Sequence, residues 1–222
     1  MRIVIVADLI CPWCYIGRRR LDRALTEFQK RGSRTVWDLW WHPFQLNPDM
    51  PRDGMDRDSY LTVKFGSIER AKRIQEEVTR IGIAEGIDFS FDLIKRTPNT
   101  INPHRLLHMA RGSKCQDQLI EILFHRYFAE GIDIGKIDEL VDAAAEVGMD
   151  SVHVRKLLES DDETNAISIE ELRARRKGIN GLPSFIIDDR FAISGAQPPE
   201  VFTRILQLSE QDIGATNQSV TV

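Results

Sequence analysis

The chain has 222 residues, 42% of them hydrophobic and 29% charged, enough to bury a substantial core as one folded unit with an insertion or as two small ones. Its net charge of −4 supplies no global attraction to nucleic acid or anionic membranes, so neither is an expected partner. No stretch approaches the roughly 20 apolar residues of a spanning helix, and the short apolar run at the N-terminus leads straight into a cysteine motif that signal cleavage would damage. The expected location is cytoplasmic, where a disulfide is more often an intermediate than a staple.

Ile3-Val4-Ile5-Val6 is apolar without alternation and reads as a strand covered on both faces, in a parallel arrangement. Cys11-Pro12-Trp13-Cys14 follows. Pro12 suits the first position of a helix, because its missing N–H is one the helix leaves unpaired. Cys11 is then the N-cap, at the positive end of the helix dipole, where negative charge on sulfur is favoured. The thiolate is the nucleophile of disulfide exchange, which makes Cys11 the attacking group, while Cys14, one turn on, is placed to close a disulfide. Two other readings stay open: a purely structural disulfide, and half of a zinc site completed by a pair such as His104 and His108.

Tyr15, Leu21, Leu25 and Phe28 recur at helical intervals until Arg31-Gly32, and Thr35 to Trp41 reads as a second strand, parallel to the first across a βαβ crossover. Trp37, Trp40 and Trp41 are expected in the core, and Arg18-Arg19-Arg20 as a solvated helix face. Pro43, Pro48, Pro51 and Asp53-Gly54 mark a boundary. From about 56 to 176 the pattern is almost wholly helical, punctuated by glycines. Phe185-Ile186-Ile187 and Phe191-Ala192-Ile193 flank Asp188-Asp189-Arg190 as a hairpin, and Pro198-Pro199-Glu200 opens a closing helix whose polar tail is expected to fray from Gln211. The expected fold class is therefore α/β, with residues 1–52 and 177–222 as one domain and 53–176 as a helical insertion. The cysteine pair lies beyond the carboxyl end of the first strand, where open α/β sheets place their sites.

Taken with Gly181-Leu182-Pro183-Ser184-Phe185, Ser194-Gly195-Ala196-Gln197-Pro198, Phe44-Gln45-Leu46-Asn47-Pro48 and Asn99 to Leu106, the motif Cys11-Pro12-Trp13-Cys14-Tyr15-Ile16-Gly17 resembles the DsbA-like branch of the thioredoxin superfamily, most of all its FrnE subfamily. The resemblance implies a thioredoxin-like fold with a large helical insertion, Cys11 as exposed nucleophile and Cys14 as resolving thiol. It also implies a cis bond before Pro183, facing the cysteines, where the Leu182 backbone offers an edge to an extended substrate.

Pro12, Trp13, Leu182 and Pro183 are thus candidate substrate contacts. Asp8 is a candidate to accept a proton from Cys14 or to satisfy backbone N–H groups at the turn. One of His104 and Arg105 is a candidate to line a cleft, and Cys115 reads as a bystander. The expected function is a thiol–disulfide oxidoreductase acting on disulfide-containing proteins or small thiols, with an isomerase role left open. It needs no bound cofactor or metal, with glutathione open as a reductant and a homodimer open as the assembly. Related 2-hydroxychromene-2-carboxylate isomerases and kappa-class glutathione transferases commonly carry serine at the position of Cys11. A glutathione-dependent isomerase or transferase on a small organic substrate is therefore the competing reading.

Overall fold

The computed structural model of the protein describes residues 1–113 and 115–218. Among them the expected βαβ start is present. β1 (Arg2–Ala7) leads into α1 (Pro12–Lys30), and β2 (Asp38–Pro43) returns parallel to β1. β2 begins at Asp38 rather than Thr35, because Asp38 is the first residue with a partner, opposite Arg2. β5 (Ser184–Ile187) and β6 (Phe191–Ser194) complete a four-stranded sheet in the order β2-β1-β5-β6. β5 runs antiparallel to β1, so the unalternating β1 is explained by its central place and not by an all-parallel sheet: Ile3, Ile5 and Val6 are each at most 1% exposed.

The β5–β6 hairpin turns through Asp188 and Asp189, both at positive φ, and the Asp188 side chain accepts the N–H of Arg2 at 2.8 Å and the hydroxyl of Ser209 at 2.7 Å. These contacts stabilise a backbone conformation that carboxamide and carboxylate side chains tolerate better than most. The last helix, α9 (Pro199–Gln218), packs on α1 and continues past Gln211, where the sequence pattern suggested fraying; residues 219–222 lie outside the described residues.

Between β2 and β5 come α2 (Arg57–Phe65), α3 (Ile68–Ala84), α4 (Ile101–Met109), α5 (Gln116–Phe128), α6 (Ile137–Glu146), α7 (Ser151–Glu159) and α8 (Thr164–Arg176). The region is less uniformly helical than its pattern suggested. β3 (Met55–Asp56) pairs antiparallel with β4 (Arg96–Thr97), closing a loop that follows α3. One apolar cluster runs from β1 and α1 into these helices. The residue after the second cysteine makes the join, since the Tyr15 ring stacks on Phe124 at 4.8 Å and meets Phe89 edge-on at 6.2 Å.

The three arginines of α1 are not a solvated face. Arg18 pairs with Asp22 and with Asp117 of α5, each at 2.7 Å, and Arg19 pairs with Glu121. Arg20 binds the buried carboxylate of Glu85 at 2.7 Å and the carbonyl of Ala196 at 2.6 Å. Successive residues on a helix point in different directions, and here each direction meets a different element. α1 is therefore clamped to α5, to the end of α3 and to the strand-to-helix turn before α9.

Gly17 lies on the buried face of α1, where a Cβ would sit 2.8 Å from Pro183 Cγ and 3.1 Å from Phe185 Cζ. Only a glycine lets the helix approach the Leu182-Pro183 segment this closely. Gly17→Ala is expected to destabilise the protein by about 1–3 kcal/mol through overpacking, read as a lower urea midpoint. An unchanged midpoint would show that helix and segment separate freely.

Candidate active site

The site is built at the carboxyl end of β1. Asp8 follows the last residue of that strand, and the Cys11 N–H donates to the Asp8 carbonyl at 3.1 Å, turning the chain into α1. Cys11 is the N-cap, with extended backbone and Pro12 at the first helical position; its side chain caps nothing, so the sulfur is free for chemistry. The Cys14 N–H donates to the Cys11 carbonyl at 3.0 Å, the first turn that brings the second sulfur back under the first. Neither cysteine is in a disulfide.

The two sulfurs are unequal. Burial pushes the Cys14 thiol well above its ordinary range, and its contact with Cys11 adds to the shift. A nearby Asp8 acts in both senses, its backbone stabilising the thiolate and its charge opposing it. Burial above all, with Cys11 beside it, thus keeps the proton on Cys14, which is 1% exposed.

Behind Cys14 lies a carboxyl group with no exposure at all. Asp8 Oδ2 accepts the N–H of Leu46 at 2.7 Å, because the chain leaving β2 runs alongside the end of β1. Asp8 Oδ1 has no hydrogen-bond partner and stands 3.5 Å from His104 Nε2, which is also unpartnered; His104 is 3% exposed. Two buried, unsatisfied polar atoms facing each other are a costly arrangement, and such groups concentrate where chemistry needs them.

The model of the DSBA-like thioredoxin domain matches residues 2–207. The chain belongs to the DSBA-like thioredoxin domain family. It is similar to a probable DsbA oxidoreductase from Streptomyces coelicolor, with 30% identity and a TM-score of 0.84, covering 95% of this chain and 90% of that one. It is 25% identical over 210 residues to YwbO, an uncharacterized protein of Bacillus subtilis, covering 93% of this chain and 96% of the relative. The cytosolic disulfide reductase DsbM of Pseudomonas aeruginosa, in a structure with GSH, shares the fold at 18% identity with a TM-score of 0.64, covering 95% of this chain and all of that one.

In this DsbA-like frame the Leu182–Pro183 bond is cis. Pro183 is buried against Gly17, Leu182 is half-buried, and the Pro183 carbonyl accepts the N–H of Gly195 at 2.8 Å. Pro12 and Trp13 are half-buried, with Trp13 packed on the main core. Cys11 is not the exposed group that the resemblance implied, because only 4% of its surface is open. Tyr60 of α2 lies within electrostatic reach of both Cys11 and Asp8. Burial raises the Tyr60 hydroxyl, which accepts from Asn47 at 3.3 Å, and deeper in, Tyr127 is pushed up to about 12.

No spacing or motif marked Tyr60: Asp58-Ser59-Tyr60-Leu61 reads as an ordinary helical stretch. Arg105 turns away from the site, donating to the carbonyls of Leu157, Ser160 and Asp162 and so tying α4 to the end of α7. His104 and His108 also diverge, His104 toward Asp8 and His108 toward Glu163 at 2.8 Å. Among the described residues no three His, Cys, Asp or Glu side chains gather as a metal-binding group. Cys115 lies at the start of α5, its sulfur 3.0 Å from Ser113 Oγ.

The raised Cys14 thiol has a direct readout. In Cys11→Ser, where burial is the main cause left, thiolate absorbance from Cys14 is expected to appear only above the ordinary value of 9.0. Titration at or below that value would show that the site admits water freely.

Proposed function

We propose that the protein is a thiol–disulfide oxidoreductase in which Cys11 attacks a substrate disulfide and Cys14 resolves the mixed disulfide. The observation that carries this reading is the unequal pair: one sulfur at the mouth of a 19-residue helix, its neighbour buried beneath it with a raised proton affinity, and a buried carboxyl group behind. In the reductive direction, Cys11–S⁻ forms a bond to one substrate sulfur and the other leaves as thiolate. Cys14 then loses its proton, forms a bond to Cys11 and displaces the second substrate thiolate. The enzyme dithiol is oxidised, the substrate disulfide is reduced, and one proton is released.

Asp8 is the base for that proton, held beside Cys14 by Leu46 and facing His104. Leu182 and Pro183, packed on α1 one turn past Cys14, supply the edge for an extended substrate, with Pro12 and Trp13 flanking the sulfur. The modest opening over Cys11 favours a disulfide on a protruding loop or a small molecule. Glutathione is the reductant we assign, supported by the DsbM relative whose structure includes it. That protein's being named as cytosolic supports a cytoplasmic site of action. The motifs around Cys11, Phe44, Asn99 and Pro183 support an FrnE-like reading within that family.

Cys11→Ser is expected to abolish insulin disulfide reduction, and Cys14→Ser to accumulate mixed disulfides visible by mass. Wild-type activity in Cys11→Ser would overturn the assignment. Asp8→Asn is expected to keep the first attack and slow the resolving step by about 100-fold, the lower range for a positioned base; equal resolving rates would remove Asp8 from the chemistry.

A further inference from the structure

Asp8 poses a problem that the exchange chemistry does not solve. It has no exposure, the Cys14 it would deprotonate is 1% exposed, and a proton taken from Cys14 must still reach water. The side of Asp8 that faces away from α1 carries the answer. A small cavity of about 10 Å³, room for a single water molecule, is walled by Asp8 and His104 on the inside and by His42, His108 and Arg111 on the outside. The two unpartnered atoms of the site, Asp8 Oδ1 and His104 Nε2, both belong to residues that line it.

The outer wall offers three candidates to carry a proton. Arg111 is a permanent cation, occupied by two bonds to Glu170 of α8 at 2.7 and 2.8 Å. His108 is held between Glu163 at 2.8 Å and Glu170 at 3.5 Å, one on each ring nitrogen. His42 on β2 is the least committed, with Glu170 at 3.6 Å from Nδ1 and 32% of its side chain exposed. It therefore reaches the cavity on one side and solvent on the other. The charges that act on His42 are Glu170, which favours its protonated form, and Arg111, Lys177 and Arg2, which oppose it. Burial acts in the same direction as those three cations and keeps the ring in its neutral, proton-accepting form at neutral pH.

We infer that His42 is the proton outlet of the site: the proton that Cys14 gives to Asp8 passes through a water in this cavity, in contact with His104, to the His42 imidazole and from there to bulk solvent. In the oxidative half, the Cys11–Cys14 bond forms, the second substrate thiolate leaves, and the released proton follows this route. On reduction of the enzyme disulfide, the proton that returns to Cys14 enters the same way. The inference rests on the oxidoreductase reading above.

The test is rapid mixing of the reduced protein with glutathione disulfide, followed by acid quenching, with the mixed disulfide and the Cys11–Cys14 disulfide separated by mass across pH. In His42→Gln and His42→Phe, formation of the mixed disulfide is expected to be unchanged, while its resolution slows by about tenfold or more near neutral pH. The pH dependence in the imidazole range should disappear, and added imidazole should restore part of the rate. The equilibrium reduction potential is expected to stay at the wild-type value, because a route alters rates and not end states. Wild-type resolution rates and pH profile in both variants would overturn the outlet while leaving the oxidoreductase reading intact. A loss that imidazole does not relieve, or one matched by a shifted potential, would also overturn it. Failure of wild-type Cys11 to form a mixed disulfide would overturn both.

Discussion

The buried carboxyl of Asp8 is the constraint around which the rest of the molecule is arranged. Leaving a buried polar atom unpaired costs about 1–3 kcal/mol, and Asp8 Oδ1 and His104 Nε2 are both unpaired. A stability argument alone would replace such a pair with apolar side chains. Asp8 stands within reach of Cys14, whose proton affinity burial raises, so the cost falls beside the cysteine pair.

Holding that arrangement requires elements from across the chain. β1 brings Asp8 to the end of the sheet, the parallel partner β2 leads Leu46 to its carboxylate, and α4 supplies His104 from the helical segment. α1 positions both sulfurs and is itself fixed on three sides by Arg18, Arg19 and Arg20. Gly17 lets the Leu182-Pro183 segment close onto the same helix. The helical segment therefore borders the site: it provides His104 as a titratable neighbour of Asp8, and His108 and Arg111 beside His42 of β2 in the outer wall of the cavity.

Much of the fold was legible because its signals are local. Pro12 after Cys11 marked the helix start, Gly32 its end, and the unalternating β1 a strand covered on both faces, though not its antiparallel neighbour. The DsbA-like resemblance added the Pro183 segment and its cis bond, which spacing alone does not reveal. The three arginines of α1 were misread for a physical reason. A run of charge looks the same whether it faces water or carboxylates on other elements, and here Asp117, Glu121 and Glu85 are 65 or more residues away in sequence. The exposure expected of Cys11 was likewise not met, since only 4% of its surface is open.

By itself the sequence determined the closely spaced cysteine pair, the strand–helix frame that presents it and the kinship with DsbA-like proteins. The pair and its frame follow from neighbouring residues, whose effects on helix initiation act over one turn, and the kinship from short motifs each readable on its own. Tertiary structure alone decided which of the five histidines meets Asp8, how deeply the sulfurs are covered, and that His42 and His104 share a cavity wall. Those depend on the register of β1 against β2 and on where α4 docks, distances set by packing among residues far apart in the chain.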